Sequence, residues 1–363
     1  MSGYKIKFNG VDKIYDEFSW RITRRAKSVW RSGLHINSRH SEGSVLDTFE
    51  KNMAKYTKRK YAVAVGSGTD ALYFALKAKG IGPGMSVLCP AISYMATAEA
   101  IKRTGADIRF VDVNDDGLID DWGIMGLPSA LVYVNLFGNL ADYKRLKNYC
   151  DAYRIPLIED AAQSLGSSYD GIPSGKLGDI SSLSFAPSKP LPCFGNGGMV
   201  LTDDQSEAEK LRGMRYHGVG TTLQHGYNSC LSNDHANILD FLLSKYSKLL
   251  DRTSKIRKQY DEGLHELGIK SIKTQDKTLS NNHKLVIKVR DRDGLRAHLG
   301  KKGVETQVHY FTPLSEMDMF KNEDHTPNAK RFCQQVLSLP IHPFLTKDDV
   351  KFVLDSRGEV QGI

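Results

Sequence analysis

One lysine, Lys189, lies between two prolines in the stretch SFAPSKPLPCFGNGG at residues 184–198. Pro187, Pro190 and Pro192 restrict the backbone around it, and the glycine cluster that follows allows a sharp turn. An amine is nucleophilic near pH 7 only when burial or nearby positive charge lowers its pKa. The stretch therefore predicts a lysine held in one position for chemistry, and a solvated loop lysine is the simpler alternative.

Two carboxylates, Glu159 and Asp160, end the run IPLIED, which is typical of a buried strand. Ligands of open α/β sheets bind beyond the carboxyl ends of the strands. A carboxylate at this edge could hold a cationic ligand nitrogen, and Gln163 could hydrogen-bond the same ligand. Capping of a helix is the alternative role.

The segment VGSGTDAL at residues 65–72 is typical of a strand that turns into a helix. Gly66 and Gly68 allow the tight turn, and Ser67, Gly68 and Thr69 offer N–H and hydroxyl donors at a helix N-terminus, where anions bind. The glycine spacing matches neither a dinucleotide fingerprint nor a P-loop. A phosphate site and a purely structural turn both fit the segment.

These motifs follow apolar runs that alternate with amphipathic helical stretches from residue 60 onward. Such alternation predicts an α/β fold with a mostly parallel central sheet and helices on both faces. A long helix is expected from about Asp234 to Leu267, followed by strand-like HKLVIKV and ETQVHYF and two C-terminal helices. We predict an N-terminal arm and large domain over residues 1–250 and a small α+β domain over 251–363.

The composition is that of a soluble globular protein of 363 residues, of which 40% are hydrophobic and 25% charged. No run approaches the roughly 18 apolar residues of a membrane helix, and the N-terminal stretch lacks a secretory apolar core. The five cysteines have neither zinc-site spacing nor the density of a disulfide framework. We therefore expect a cytoplasmic protein with free thiols and no metal site.

The formal net charge of +8 could reflect nucleic acid, an anionic metabolite or only a solvated surface. The densest basic cluster is WRITRRAKSVWRSG at residues 20–33, where basic and apolar residues alternate at helical spacing. It predicts an amphipathic helix with a basic outer face. Binding of nucleic acid or phosphates is the alternative.

Together, an anion site, a strand-end aspartate and a constrained lysine match what pyridoxal phosphate requires for its phosphate, its pyridinium nitrogen and its aldehyde. From about Phe49 to Val350 the chain also resembles the DegT/DnrJ/StrS-type sugar-nucleotide aminotransferases. The motifs that carry this resemblance are SGTDALYFAL, GIGPGMSVLCPAISYMATAEAI, GADIRFVDV, LIEDAAQSLGS, GKLGDISSLSF, PSK, GGMVLTDD, LRGMRYHG, VHYFTPL and SLPIHP. The resemblance implies the fold of the aspartate aminotransferase class.

The resemblance also implies a role for each matching residue. Lys189 matches the lysine that forms the internal aldimine and shuttles protons, and Asp160 matches the carboxylate that keeps the pyridine nitrogen protonated. The other cofactor matches are Gln163 near the ring hydroxyl, Gly68, Thr69 and Ser184 at the phosphate, and Tyr94 stacked on the ring. The substrate-side matches are His309 and Tyr310, close to the sugar nucleotide.

Asn228 matches an asparagine that reaches the phosphate of the neighbouring subunit's cofactor, which implies a homodimer with shared active sites. The chain departs from the family pattern just after it, where Ser229 and Cys230 replace an aromatic residue and an arginine. Further departures are Asn196 for a frequent glutamate, and Asn135 and Ser315 for histidines. These departures leave the substrate side of the site open.

We therefore predict a pyridoxal-phosphate-dependent aminotransferase that moves an amino group from an amino acid, expected to be L-glutamate, to a keto-deoxysugar of a nucleoside-diphosphate sugar. One branch of the family replaces the lysine with histidine and dehydrates sugars, so the retained Lys189 favours transamination. Two alternatives remain: another pyridoxal phosphate reaction on the same scaffold, and a non-catalytic regulatory or nucleic-acid-binding protein.

Overall fold

The computed structural model describes residues 3–36, 43–120, 127–219 and 225–357. The α-helices in these ranges are α1 (Val11–Ser32), α2 (Val45–Thr57), α3 (Gly68–Ala78), α4 (Ala96–Arg103), α5 (Tyr143–Tyr153), α6 (Gln205–Arg215), α7 (Asn233–Glu266), α8 (Arg292–Lys301), α9 (Pro327–Gln335) and α10 (Lys347–Asp355). None of these helices is long and apolar enough to cross a bilayer.

The strands in the same ranges are β1 (Tyr61–Val65), β2 (Ser86–Pro90), β3 (Asp107–Val111), β4 (Ala130–Val134), β5 (Leu157–Asp160), β6 (Ser168–Tyr169), β7 (Ile172–Pro173), β8 (Ile180–Ser184), β9 (Gly198–Thr202), β10 (Thr278–Leu279), β11 (Leu285–Lys288) and β12 (Val336–Leu339). Seven of them form the central sheet in the order β1-β9-β8-β5-β4-β2-β3.

The central sheet is mostly parallel, which confirms the predicted fold class. Strands β3, β2, β4, β5 and β8 pair in parallel, whereas β9 runs antiparallel to both of its neighbours, β8 and β1. Every residue of β4, β8 and β9 is buried. Such burial is expected when helices cover both faces of a sheet, and it includes the three serines of β8.

The sheet brings the three motifs to one edge. Strands β1, β5 and β8 all point the same way, so their carboxyl ends lie together. At this edge Val65 pairs with Gly198 of β9. A Cβ on Gly198 would lie 2.2 Å from the carbonyl oxygen of Ser67, so only glycine allows β9 to approach the start of α3.

The long helix α7 spans Asn233–Glu266, within one residue of the predicted bounds. Its first half packs with α1 and α2 in one apolar cluster, and its second half packs with α8, β11, β12 and α10 in another. The predicted helix over residues 20–33 forms the second half of α1, which ends one residue earlier, at Ser32. The predicted domain boundary at residue 250 falls inside α7, and the division into two domains stays a prediction.

The segment ETQVHYF, which we predicted as a strand, is largely irregular. Gln307 forms an isolated bridge with Ser338. Val304, the residue just before the segment, forms another with Ile6. Strand β12 instead forms its ladder with β11. No strand of the described residues pairs with this segment along its length, and four of its residues line a cavity described below.

A buried ion pair fastens α2 and α6 to the first strand. Arg215 and Glu50 are 1% and 3% exposed, and their closest N–O distance is 2.5 Å. Arg215 Nη1 also donates to the Ala64 carbonyl at 3.0 Å, and Glu50 Oε1 accepts from the Ala64 amide at 2.8 Å. The pair therefore satisfies both backbone polar groups of Ala64 in β1, the strand at one edge of the central sheet.

We expect Arg215→Met to lower the free energy of unfolding by about 3–5 kcal/mol, because the Glu50 charge stays buried without its partner. Urea denaturation of the purified protein measures the change. The double variant Glu50→Leu/Arg215→Met removes both charges and should be more stable than Arg215→Met. A single variant as stable as the wild type would show that the pair does not hold β1 in place.

Candidate active site

A cavity of about 420 Å³ opens at the carboxyl edge of the central sheet. Nine of the ten residues predicted for the site line it: Gly68, Thr69, Tyr94, Asp160, Gln163, Ser184, Lys189, His309 and Tyr310. The segments that carry these residues are far apart in sequence. The fold therefore brings together residues that the sequence analysis identified on separate segments.

Lys189 lies in a closed loop between β8 and β9. The Lys189 amide donates to the Ala186 carbonyl at 2.9 Å, the Cys193 amide donates to Phe185 at 2.7 Å, and the Phe185 amide donates to Gly197 at 2.8 Å. Burial lowers the pKa of the Lys189 amine, and the negative charge of Asp160 opposes part of this shift. The loop thus presents a partly desolvated amine to the cavity.

Asp160 is buried at the end of β5 and faces this amine. Its Oδ2 accepts from the Thr97 hydroxyl at 2.9 Å, and its Oδ1 accepts from the Ala162 amide at 3.1 Å. The Thr97 hydroxyl lies 2.7 Å from that of Ser93. Burial raises the pKa of Asp160, whereas the Lys189 charge and these two donors oppose the rise.

Glu159, the neighbouring carboxylate, has a different role. Successive strand residues point to opposite faces, and Glu159 is fully buried on the face opposite to Asp160. It accepts hydrogen bonds at 2.8–3.1 Å from the side chains of Asn135, Ser174 and Ser181 and from the amides of Gly175 and Leu177. It is a structural carboxylate, and Asn135, one of the departures from the family pattern, is one of its donors.

Gln163 and Tyr310 hold each other in the cavity wall. Gln163 Oε1 accepts from the Phe137 amide at 2.9 Å, and Gln163 Nε2 donates to the Tyr310 hydroxyl at 3.2 Å. Burial raises the pKa of Tyr310, which keeps the phenol protonated. Tyr94 stands nearby, half-exposed, with its ring centroid 5.7 Å from Lys189 Nζ.

The start of α3 forms a backbone cradle. Ser67 caps the helix by accepting from the Asp70 amide at 3.0 Å. A Cβ on Gly68 would lie 2.5 Å from the Cβ of Ser184, so a side chain at position 68 would collide with the end of β8. Glycine here lets α3 start next to Ser184, so that the Gly68 and Thr69 amides and the Thr69 and Ser184 hydroxyls could face an anion.

Asn228 is the one predicted residue that does not line this cavity. It is exposed, and its backbone bridges to Tyr216. Its two neighbours hold the segment to α3: the Tyr227 hydroxyl lies 2.6 Å from that of Tyr73, and Ser229 Oγ donates to Asp70 at 2.7 Å. The segment therefore presents Asn228 outward, away from the site of its own chain.

Most departures from the family pattern have structural roles here. Ser229 Oγ also accepts from the Gly66 amide at 3.0 Å, and Cys230 Sγ donates to the Arg215 carbonyl at 3.6 Å. Ser315 is buried, with its hydroxyl 2.6 Å from that of Thr326. Among these residues only Asn196 lines the cavity.

His283 and Lys284 are among the cavity residues that sequence reasoning missed. Lys284 is only 6% exposed, and burial together with the charge of Lys189 lowers its pKa to about 7. Burial and the charges of Lys284 and Lys189 also lower the pKa of His309 to about 3. The available signal was a lysine inside HKLVIKV, a run that we assigned only to a strand.

Comparison with known proteins gives consistent matches over most of the chain. A family model described as the DegT/DnrJ/EryC1/StrS aminotransferase family matches residues 23–356. The chain is 33% identical over 341 residues to a UDP-2-acetamido-2-deoxy-3-oxo-D-glucuronate aminotransferase of Pseudomonas aeruginosa, covering 91% of this chain and 95% of that protein. It is also 33% identical over 368 residues to a dTDP-3-amino-3,4,6-trideoxy-alpha-D-glucose transaminase of Streptomyces venezuelae, covering 98% and 96%.

The fold is matched equally well. A solved structure of S. venezuelae DesV in complex with a ketimine intermediate is 32% identical and superimposes with a TM-score of 0.93, with 100% of both chains covered.

We expect Thr97→Val to weaken the binding of pyridoxal phosphate, the predicted cofactor, by about 10- to 100-fold, because Asp160 loses a hydrogen bond to its charged form. Titration of the apoprotein, followed by absorbance, gives the dissociation constant. Thr97→Ser keeps the hydroxyl and is the matched control. Equal affinities of the two variants would exclude Thr97 as a support for Asp160.

Proposed function

The chain belongs to the DegT/DnrJ/EryC1/StrS aminotransferase family, and on this basis we propose that it transfers an amino group from L-glutamate to the keto group of a nucleoside-diphosphate sugar. Membership confirms the predicted enzyme class, a nucleotide-sugar aminotransferase that depends on pyridoxal phosphate, and it favours this class over the regulatory alternative. The donor, the particular sugar and the role of each residue are parts of the proposal.

The observation that carries the proposal is the arrangement of Lys189, Asp160 and the α3 cradle around one cavity. An amine with a lowered pKa faces a buried carboxylate, and the α3 cradle, which could hold an anion, lies at the same edge of the sheet. Each feature alone has a structural explanation. A pyridine ring that carries a phosphate, an aldehyde and a protonated nitrogen needs all three at once.

The described residues fit this cofactor. The phosphate would bind at the α3 N-terminus, where a Cβ on Gly68 would fill the cradle. The ring nitrogen would lie at Asp160, whose two donors favour the ionised carboxylate. The half-exposed ring of Tyr94 would cover one face of the cofactor, and Gln163 would lie near its ring hydroxyl.

When bound, pyridoxal phosphate supplies an electron-withdrawing ring that stabilises negative charge on the carbon next to the amino group. Lys189 would hold the cofactor covalently until the donor amine displaces it. Burial lowers the pKa of Lys189 and so favours the neutral amine, and Nζ could accept the proton from the donor's α-carbon and return it to the cofactor carbon. The second half-reaction runs the same proton transfers in reverse on the keto sugar.

The relatives supply the substrate class. One is named for a UDP-linked 3-oxo-glucuronate and another for a dTDP-linked trideoxy amino sugar. They share a nucleotide-linked sugar and differ in the nucleotide and in the charge on the sugar. His309 and Tyr310 would contact the sugar nucleotide, and the charge preference would depend on the other side chains of the cavity.

We also propose a homodimer with shared active sites, located in the cytoplasm. Asn228 is exposed and absent from its own cavity, which suits a residue that reaches the cofactor phosphate of a second subunit. The five cysteines are all free thiols, which is typical of proteins in a reducing compartment.

Lys189→Ala should lower the rate of amino transfer at least about 1,000-fold, because both the covalent attachment and the proton carrier are lost. The measurement is product formation from L-glutamate and a panel of UDP- and dTDP-linked keto sugars, followed by mass spectrometry. Lys144→Ala, at an exposed position of α5, is the matched control. A Lys189→Ala protein that still turns over would contradict the assigned role.

Shared sites predict complementation between two inactive variants, Lys189→Ala and Asn228→Asp. If Asn228 acts on its partner's site, each mixed dimer has one intact site, and an equal mixture recovers about a quarter of wild-type activity. The variants are unfolded together, refolded and assayed against each variant refolded alone. Recovery no greater than that of the separate variants would mean that Asn228 acts within its own chain or not on the cofactor.

A further inference from the structure

A second lysine, Lys284, lies in the same cavity as Lys189. Its backbone amide donates to the Phe137 carbonyl at 3.2 Å, just before β11 begins. Its amine makes no hydrogen bond or ion pair with any residue that the structure describes. Its Nζ lies over the Phe8 ring, 4.6 Å from the ring centroid.

This position is costly for a lysine. The residue is 94% buried, and an ammonium removed from water needs a compensating partner. Burial and the charge of Lys189 lower the pKa of Lys284 to about 7, so near neutral pH a substantial part of the amine stays charged. An apolar side chain would fill the same space beside Phe8 without this cost, which means that packing does not explain the lysine.

The two histidines of the cavity, His283 and His309, do not supply positive charge. Burial lowers the pKa of His283 well below its usual value and that of His309 to about 3, with the lysine charges adding to both shifts. Both imidazoles are therefore neutral near pH 7. Among the described residues that line the cavity, Lys284 and Lys189 are the only cationic ones, and Asp160 is the only carboxylate.

The amine is also close to the reacting centre. Lys284 is near enough to Lys189 for the two charges to repel, and near enough to His309 to lower its pKa. The ring of His309 lies 5.7 Å from that of Phe8, the same ring that Lys284 contacts. Lys284 therefore faces the region between Lys189 and the segment expected to contact the sugar.

We propose that Lys284 binds a carboxylate of the substrate, so that the enzyme handles an acidic molecule next to the carbon that reacts. This inference rests on the proposed function and adds a substrate class to it. Two sources present this chemistry: the α-carboxylate of the amino-acid donor, one bond from the carbon that loses its proton, and an acid group on the sugar. The pyrophosphate of the nucleotide is a poorer candidate, since the sugar ring separates it from the reacting carbon.

The test compares wild type, Lys284→Met and Lys284→Arg as holoenzymes. For the sugar arm, calorimetry measures the binding of UDP-glucuronate against UDP-glucose, and of the corresponding dTDP-linked pair, because the two sugars of each pair differ only in the carboxylate. For the donor arm, the concentration dependence of the loss of the visible cofactor band measures the binding of L-glutamate, L-glutamine and L-aspartate.

We expect Lys284→Met to weaken the binding of the acidic sugar nucleotides, of the amino acids, or of both by about 10- to 100-fold. This is the effect of one hydrogen bond between charged groups. Lys284→Arg should keep most of that affinity, and binding of the neutral sugar nucleotides should not change. The weakened arm identifies the source of the carboxylate. The proposal would be overturned if Lys284→Met changed neither the affinity for acidic sugar nucleotides nor that for amino acids. It would also be overturned if the affinity for neutral sugar nucleotides fell as much as that for acidic ones.

Thermal unfolding of the apoproteins separates binding from a purely structural role. If Lys284 serves a ligand, Lys284→Met removes a buried charge and should unfold at the same temperature as the wild type or higher. A clear fall in this temperature without any change in ligand affinity would instead mean that the lysine serves the contact with Phe8. A wild-type protein that binds no sugar nucleotide and responds to no amino acid would contradict the proposed function itself, not only the role of Lys284.

Discussion

The site depends on one constraint, which is that a lysine amine and an aspartate carboxylate must face each other in a cavity largely shielded from water. Burial destabilises the charged form of each group and moves their pKa values toward one another, and each charge opposes part of the other's shift. If either group were buried without the other, it would lack the opposite charge that favours its ionised form. The protein stabilises the pair with the Thr97 hydroxyl, the Ala162 amide and the hydrogen-bonded loop that carries Lys189.

The surrounding fold follows from this requirement. A parallel sheet brings the ends of distant strands to one edge, and the alternation along β5 separates two adjacent carboxylates into different roles. Glu159 accepts hydrogen bonds from five donors in the interior, while Asp160 faces the cavity. Close contacts at Gly68 and Gly198 then bring the N-terminus of α3, the proposed anion site, against β8 and β9.

Much of this could be predicted from local sequence. Apolar periodicity gave the α/β class and located α7 to within one residue, because a long amphipathic helix has a strong signal. The strand predicted for ETQVHYF was wrong. Its alternation resembles that of a strand, but pairing depends on a partner that is distant in sequence. Lys284 was missed for a related reason: only the assembled cavity shows that its amine is buried and has no hydrogen-bond or ion-pair partner among the described residues. The roles of Ser229, Cys230 and Ser315 likewise appear only through their contacts with distant residues.

The central claim is that Lys189 holds pyridoxal phosphate in this cavity and exchanges an amino group through it. The most direct test is the absorbance spectrum of the purified protein before and after L-glutamate, followed by 2-oxoglutarate. We expect a visible band from the lysine-bound cofactor that falls with glutamate and returns with 2-oxoglutarate. If no visible band forms even after pyridoxal phosphate is added, the account of the cavity is wrong.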